Sequence, residues 1–361
     1  MIDIVIDARM LQSSGIGSYL QGLIPLISAK HNITLLVSDK DHEIYSRYRN
    51  VDTVICSSPI YSIWEQVELP LKIPACDIFW SPHYNVPLLP VRAKKCLVTI
   101  HDVFHLAFFV TLPPLQKLYA KFILHAAARY SDMIITVSGF SKSEIIKHLN
   151  VKETGIRVIY NGINSEDYKM LDNKVLSDTE NTLSLTDKYI LFVGNIKPNK
   201  NIKSLLQAYA SLLNQGFTGY DLVIVGKKEG FITGDSEVVR MLEDNAILKE
   251  KVFFTGHINT SDLPYIYNSS SLLVLPSLYE GFGLPPLEAM ACGCPAIVSN
   301  IASLREVCGE AAYYVDPYNA EDIASGICKV LGDEPLRQDL TARGLERVKL
   351  FEWKKSAKEH M

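Results

Sequence analysis

Residues 272–299 read LLVLPSLYEGFGLPPLEAMACGCPAIVS. Leu272–Leu275 is a short, wholly apolar run of strand type. A loop holding Gly281 and Gly283 follows, then a helical pattern over Pro286–Ala291, then a second apolar run at Ala296–Ser299. Pro286 suits a first helical turn. Two glycines let the backbone approach a ligand. Strand, helix and strand in this order predict a parallel pair covered by a helix, which is the repeating unit of an α/β sheet.

The same alternation extends outward in both directions. Downstream lies Ala312–Val315, followed by a helical pattern at Ala320–Leu331. Upstream come Val252–Thr255, Asp221–Val225 and Tyr189–Val193, with helices predicted at Asp262–Asn268, Glu237–Ile247 and Asn201–Asn214. The pattern lapses over Asn164–Lys188, where six acids and three Lys read as an exposed linker. It resumes in the first half with strands at Asp3–Asp7, Ile33–Ser38, Thr53–Ser57, Ile78–Trp80, Cys96–Ile100, Met133–Val137 and Arg157–Ile159. Tyr19–Ser28 and Leu115–Tyr130 are amphipathic. The reading is α/β: two doubly wound, Rossmann-like domains, residues 1–170 and 171–350, facing each other across a cleft, with residues 351–361 as a terminal segment.

Composition narrows the function. The chain has 361 residues, 48% apolar and 21% charged, with a net charge of −4. A large core is accessible, and a binder dominated by nucleic-acid phosphate contacts is disfavoured. The balance is +2 over residues 1–170 and −6 over the rest. No apolar run reaches the ~18 residues that span a bilayer. The opening MIDIVIDARM carries acids where a signal peptide has basic residues and reads as a strand. Seven scattered Cys without a CxxC pair suggest reduced, buried thiols in a cytosolic protein.

Ligands of doubly wound sheets bind at the carboxyl ends of the strands. After Tyr189–Val193 comes Gly194-Asn195-Ile196-Lys197-Pro198-Asn199-Lys200-Asn201. Lys200, at or just before a helix N-terminus, suits a diphosphate, with Lys197 nearby. A solvated loop with ordinary lysines is the alternative. After Leu272–Leu275, Glu288 falls in the first helical turn and suits neutral hydroxyls such as a ribose, since it would repel phosphate. It also reads simply as a favourable helix N-terminal charge. Glu280 suits sugar hydroxyls or a developing positive charge. After Val252–Thr255, the segment Thr255-Gly256-His257 can line a base pocket, with His257 equally readable as structural.

In the first half, Ser13-Ser14-Gly15-Ile16-Gly17-Ser18-Tyr19 precedes an apolar helix. It is not a dinucleotide fingerprint: Leu20 occupies the third glycine's place and the loop is too long, although Asp39 sits where a ribose-binding acid would. A simple turn and a ligand-contacting loop both remain open, the second favoured. His101 and Asp102 end a strand. His105 follows, but two His at this spacing do not make a zinc site. Lys117, Lys121, His125 and Arg129 stripe the helix Leu115–Tyr130 beside Leu118, Phe122, Ile123 and Leu124. That face reads either as ordinary solvated helix or as a peripheral contact with anionic lipid. The neighbouring apolar stretch Leu106–Leu112 reads as core or as part of an acceptor site.

These segments together resemble the retaining glycosyltransferases of family 4, with the GT-B fold. The likeness rests on YEGFGLPPLEAMACGCPAIVS (279–299), with its E-x7-E pair Glu280 and Glu288. It also rests on FVGNIKPNKN (192–201), FFTGHI (253–258), VTIHD (98–102), VSGFSKSEI (137–145), VIYNGI (158–163) and SSGIGSYL (13–20). The pairing of DAR near residue 8 with GIGSY, and of HD with VGN…KN, looks most like the mannosyltransferase B-like branch, which uses GDP-mannose in bacterial O-antigen synthesis.

The resemblance implies an acceptor-binding first domain and a nucleotide-sugar-binding second domain, with residues 351–361 returning to the first. It implies that Glu288 holds the ribose and Glu280 the donor sugar, and that the amides of Gly281, Phe282 and Gly283 meet sugar and phosphates. Lys200 matches the diphosphate lysine. The family often has Arg where this chain has Asn195, so Lys197 is the candidate replacement for that contact. Gly15 and Gly17 match the loop approaching the diphosphate; His101 and Asp102 match the pair facing the transferred sugar. The implied reaction moves a hexosyl group, mannose from GDP-mannose, to a glycan or lipid-linked glycan acceptor in bacterial surface polysaccharide synthesis. It would run with retention, without metal or cofactor, in the cytoplasm or at the inner face of its membrane, and without nucleic acid. The acceptor would lie near His101, with His83-Tyr84-Asn85 as further candidates. Open alternatives are a UDP-sugar glycosyltransferase, a nucleotide-sugar 2-epimerase and a non-catalytic nucleotide-sugar-binding module.

Overall fold

The computed structural model describes residues 1–42, 50–108, 114–172, 188–226, 236–256 and 258–361. The chain divides into two compact units, Met1–Gly162 with Phe351–Met361, and Ile163–Leu350.

The first unit is a seven-stranded parallel sheet of β1 (Asp3–Asp7), β2 (Asn32–Val37), β3 (Val51–Ile55), β4 (Cys76–Ser81), β5 (Ala93–Thr99), β6 (Met133–Thr136) and β7 (Ile156–Val158). Its spatial order is β3-β2-β1-β4-β5-β6-β7. Helices α1 (Ser14–Ser28), α2 (Glu65–Lys72), α3 (Phe104–Ala107), α4 (Pro114–Tyr130) and α5 (Gly139–Leu149) connect the strands. Strand side chains alternate between faces. Ile6, Leu35 and Trp80 therefore pack with Leu20, Leu23 and Ile24 of α1. Their neighbours Val5, Leu36 and Phe79 pack on the opposite face with Leu69 of α2 and Ile73. Both faces are covered, which is why these strands read as nearly continuous apolar runs.

The second unit is a six-stranded parallel sheet of β8 (Tyr189–Val193), β9 (Asp221–Val225), β10 (Val252–Gly256), β11 (Leu272–Leu275), β12 (Ala296–Ser299) and β13 (Tyr313–Val315), in the order β10-β9-β8-β11-β12-β13. Its helices are α6 (Ile202–Asn214), α7 (Ser236–Asp244), α8 (Ala246–Lys251), α9 (Leu263–Ser269), α10 (Leu284–Ala291), α11 (Ala302–Cys308), α12 (Ala320–Gly332) and α13 (Glu334–Val348). In each unit the strand order reverses beside the first strand: between β1 and β4, and between β8 and β11. Each reversal opens a crevice at the carboxyl ends.

Three expectations are corrected. The helix predicted over Glu237–Ile247 is two helices, because the Asn245 side chain caps the amides of Ile247 and Leu248, both at 3.1 Å, and so starts α8. The first domain ends near residue 162, not 170. Leu171 donates to Asn268 Oδ1 at 2.8 Å, Asn268 donates to the Lys169 carbonyl at 2.9 Å, and Tyr168 lies against Tyr267, so these residues belong to the second unit. Residues 173–187 of the expected linker lie outside the described residues, as do 109–112 of the stretch Leu106–Leu112. All seven cysteines are free thiols; Cys328 is exposed rather than buried.

The terminal helix α14 (Trp353–His360) belongs to the first unit and packs along α1. Gly22 makes this possible, since a Cβ there would lie 2.3 Å from the Trp353 ring. Gly22→Ala is expected to cost about 1–3 kcal/mol by overpacking. Thermal denaturation and limited proteolysis of the C-terminal helix should both register the loss. Gly15→Ala, with nothing within 4 Å of the new Cβ, should not.

Candidate active site

In the second unit the loops after β8 and β11 are sewn together by two buried asparagines. Asn199 Nδ2 donates to the Tyr279 carbonyl at 3.1 Å, and the Asn199 carbonyl accepts from the Leu278 amide at 2.7 Å. Asn201 sits in the left-handed region (φ 55°), which Asn tolerates better than most residues. From there its Nδ2 reaches the carbonyls of Pro276 (3.0 Å) and Pro317 (2.7 Å). Between these two straps Lys200 is aimed at the second loop. Its Nζ lies 2.6 Å from Glu280 Oε1, which also accepts from Ser277 Oγ at 2.6 Å. Both charged side chains are largely buried.

Glu288 is buried in α10 and accepts from the Tyr267 hydroxyl at 2.7 Å. Burial pushes its carboxyl up to about 7, against the opposing effect of that hydrogen bond. The helix begins at Leu284, so Glu288 lies in the second turn, not the first as expected. Its protonation is therefore set by desolvation rather than by the helix dipole. Gly283 opens α10 at φ 108°, and a Cβ there would lie 2.6 Å from Leu304 Cδ2. Gly281 and Phe282 are buried beside it, so the Phe282 ring is core and its backbone faces the loop.

Asn195 and Lys197 lie in the β8–α6 loop with Lys200, both half-buried. Thr255 and Gly256 end β10, two strands removed from β8, where Thr255 Oγ1 bonds the Gly256 carbonyl at 3.2 Å. His257 lies outside the described residues. Lys200 and Glu280 thus stand on the two loops flanking the strand-order reversal, with Gly281–Gly283 on the second and Glu288 in the helix that follows it. Thr255 and Gly256 stand at the edge.

In the first unit His101 follows β5. Its Nε2 lies 3.0 Å from the Pro82 carbonyl. A carbonyl only accepts, so Nε2 carries the proton and Nδ1 of the neutral ring offers a lone pair. Burial holds this imidazole below the usual histidine range, against the pull of the Pro82 carbonyl and Asp102. The Tyr19 ring packs edge-on against it at 4.9 Å. The Tyr19 hydroxyl is tied to Thr99 Oγ1 at 3.1 Å and to His360 Nε2 of α14 at 2.6 Å. Asp102 Oδ1 accepts from the Phe104 amide at 2.9 Å and so starts α3.

Gly15 and Gly17 are not in a loop before the helix: α1 starts at Ser14 and contains both. Gly15 is exposed. Gly17 is buried against the Leu11 carbonyl, where a Cβ would come within 2.3 Å. Among the described residues, no three His, Cys, Asp or Glu gather in a metal-binding group.

Sequence reasoning missed Asn199, Asn201, Ser277, Tyr267 and Tyr19. The signal for the asparagines was present in Asn199-Lys200-Asn201, where polar residues expected at a surface are instead buried.

Glu288→Gln tests the buried acid. A carboxyl held near 7 when folded and near 4.5 when unfolded loses stability as pH rises between those values, at up to about 1.4 kcal/mol per pH unit. Urea unfolding should find the variant gaining on the parent from pH 5 to 7, then holding a constant advantage. Parallel curves would remove the assigned protonation.

Comparison with known proteins gives a consistent result. Residues 13–167 match the family described as Glycosyltransferase Family 4, and residues 174–347 match Glycosyl transferases group 1. The chain is 33% identical over 276 residues to O-antigen chain mannosyltransferase B of Escherichia coli, covering 76% of this chain and 71% of that protein. It is 31% identical over 268 residues to O-antigen chain mannosyltransferase RfbU of Salmonella typhimurium, covering 74% and 69%. In fold it resembles Anabaena HepE in complex with UDP-glucose, with a TM-score of 0.80 at 16% identity over 99% of this chain and 98% of that one.

Proposed function

The chain belongs to the family 4 glycosyltransferases, and from that premise we propose that it transfers mannose from GDP-mannose, with retention, to a growing surface glycan. The observation that carries this reading is the pairing of Lys200 with Glu280 on the two loops that flank one strand-order reversal, with the buried Glu288 in the helix after the second loop. Mannose and the polysaccharide context rest on the two O-antigen mannosyltransferases to which the chain is similar.

In this reading Lys200 keeps one N–H on Glu280 and turns the others to the donor diphosphate. A Glu288 carboxyl oxygen accepts from the ribose hydroxyls, and the backbone of Gly281–Gly283 meets the sugar and phosphates. The glycosidic C1–O bond to the diphosphate breaks ahead of bond formation, and the ring oxygen shares the resulting positive charge. Lys200 and the loop amides stabilise the departing anion. The acceptor hydroxyl adds to C1 on the same face, and its proton passes to a leaving phosphate oxygen. The charge stabilisation is assigned to Lys200 and backbone amides, so the reaction is proposed to need no metal.

The place of action proposed is the inner face of the cytoplasmic membrane. Among the described residues no helix is long and apolar enough to cross a membrane. In α4, Ile123 and Leu124 are core, correcting their expected place on the outer face. Leu118 and Phe122 are exposed, together with Lys121, His125 and Arg129. The rings of Tyr119 and Tyr61 meet at 6.1 Å, which brings the exposed Ile63 (85%) and Trp64 (74%) toward the same region. Apolar, aromatic and basic groups together suit an anionic lipid surface.

In thermal-shift measurements GDP-mannose is expected to stabilise the protein more than UDP-glucose, by about 2.7 kcal/mol at 100 times its dissociation constant. Lys200→Ala should lower transfer by about 10²–10³-fold. Preference for UDP-glucose, or formation of an epimer from donor alone, would replace the mannosyl reading.

Vesicle sedimentation tests the membrane contact. Binding should require anionic lipid and fall on Trp64→Ala with Phe122→Ala. Equal recovery with neutral vesicles, or an unaffected double variant, would remove it.

A further inference from the structure

The Glu288 carboxyl is oriented by one hydroxyl. Tyr267, fully buried in α9, donates to its Oε2 at 2.7 Å. α9 is itself held at three consecutive residues. The Ile266 carbonyl accepts from the buried Tyr189 hydroxyl of β8 at 2.7 Å. The Tyr267 carbonyl accepts from Ser270 Oγ at 2.8 Å, and the Asn268 side chain grips the Lys169 carbonyl and the Leu171 amide. The phenol is thus fixed outward from the sheet. Tyr267 has no exposed surface and Glu288 retains 9%, so Oε2 is the inward oxygen and the exposed part of the residue lies on another side.

Tyr168 packs beside this pair, its ring 6.2 Å from that of Tyr267. Burial keeps both phenols protonated far above neutrality, so Tyr267 donates at any physiological pH. Cys292, four residues along from Glu288, also faces the carboxyl and is kept protonated by burial. α11 and α13 meet α10 through Leu304, against Gly283, and through Gly344, against Met290. None of the residues of β11 and β12 is ionisable. Among the described residues the carboxyl therefore answers to two influences, burial and the Tyr267 hydroxyl, acting in opposite directions.

We propose that Tyr267 is a positioning residue for nucleotide recognition: by occupying Oε2 it turns Oε1 of Glu288 to the ribose, so that affinity for a nucleoside diphosphate depends on a phenol the ligand does not touch. A side chain already held in its bound rotamer loses less freedom when the ligand arrives. The same bond favours the ionised carboxyl, which is the stronger acceptor for ribose hydroxyls.

The inference rests on the proposed nucleotide-sugar reading, and titration calorimetry keeps the two apart. The ligands are GDP and its dideoxy analogue, which lacks both ribose hydroxyls, with UDP and its dideoxy analogue alongside. Tyr267→Phe keeps the ring and removes one oxygen. It should weaken GDP about tenfold and the dideoxy analogue less than about twofold. A merely structural loss would weaken both alike. The ratio of the two affinities cancels the titration of the phosphates, which both ligands share. In the parent that ratio should rise with pH through about 7, as the carboxyl ionises. In Tyr267→Phe the rise should move to higher pH, because the bond that favours ionisation is gone. The same pattern with uridine nucleotides alone would replace GDP by UDP and keep the positioning role. Undiminished GDP affinity in Tyr267→Phe, equal weakening of GDP and its dideoxy analogue, or an unmoved pH midpoint would overturn the role and leave the transferase reading standing. Failure of the parent to bind any of these nucleotides would bring down both.

Discussion

The second unit's site depends on the Asn201 carboxamide. One buried amide in a left-handed turn donates to two carbonyls, Pro276 and Pro317, from loops far apart in sequence. Buried backbone carbonyls need partners, and loops after parallel strands have no ladder to supply them. Asn201 and Asn199 supply those bonds and thereby fix the distance between the loops after β8 and β11. Lys200 stands between the two and has one direction left to point. The Lys200–Glu280 pair follows from this bracing. Left on free loops, the same two residues would form a solvated pair worth under about 1 kcal/mol.

Bracing lets the protein hold polar groups where solvation alone would forbid them. Glu288 is buried with the Tyr267 hydroxyl as its hydrogen-bonded partner, and it responds by retaining its proton near neutrality. Asp7, Arg9 and Glu65 are buried too, but as a mutually bonded set. The two arrangements solve one problem differently. A single carboxyl escapes the desolvation penalty by neutralising. A guanidinium, which does not lose its proton in proteins, must instead bring carboxylates in with it.

The fold was legible in the sequence because both sheets are covered on both faces, so each strand is a dense apolar run between helical patterns. Helix ends were less legible. The split at Asn245 and the start of α10 at Leu284 are set by a side-chain cap and by a left-handed glycine, both local choices that periodicity does not register. Lys200, Glu280 and Glu288 were legible as residues after strand ends, but their state was not. Nothing in the order of letters shows that Lys200 is already paired or that Glu288 is desolvated. The start of α1 was misplaced for a related reason: the helix begins at Ser14 and takes in both Gly15 and Gly17, and Gly17 lets it approach the Leu11 carbonyl.

The two strand-order reversals bury different chemistry. In the proposed reading a nucleotide-sugar donor brings two phosphate charges and calls for a cation, and a cation held in a largely buried place needs a counter-charge; Lys200 and Glu280 are such a pair. Burial keeps His83 and His101 of the first unit neutral, and Asn85 and the Pro82 carbonyl fix their tautomers. One sheet topology, used twice, thus holds an ion pair after one set of strands and neutral imidazoles after the other.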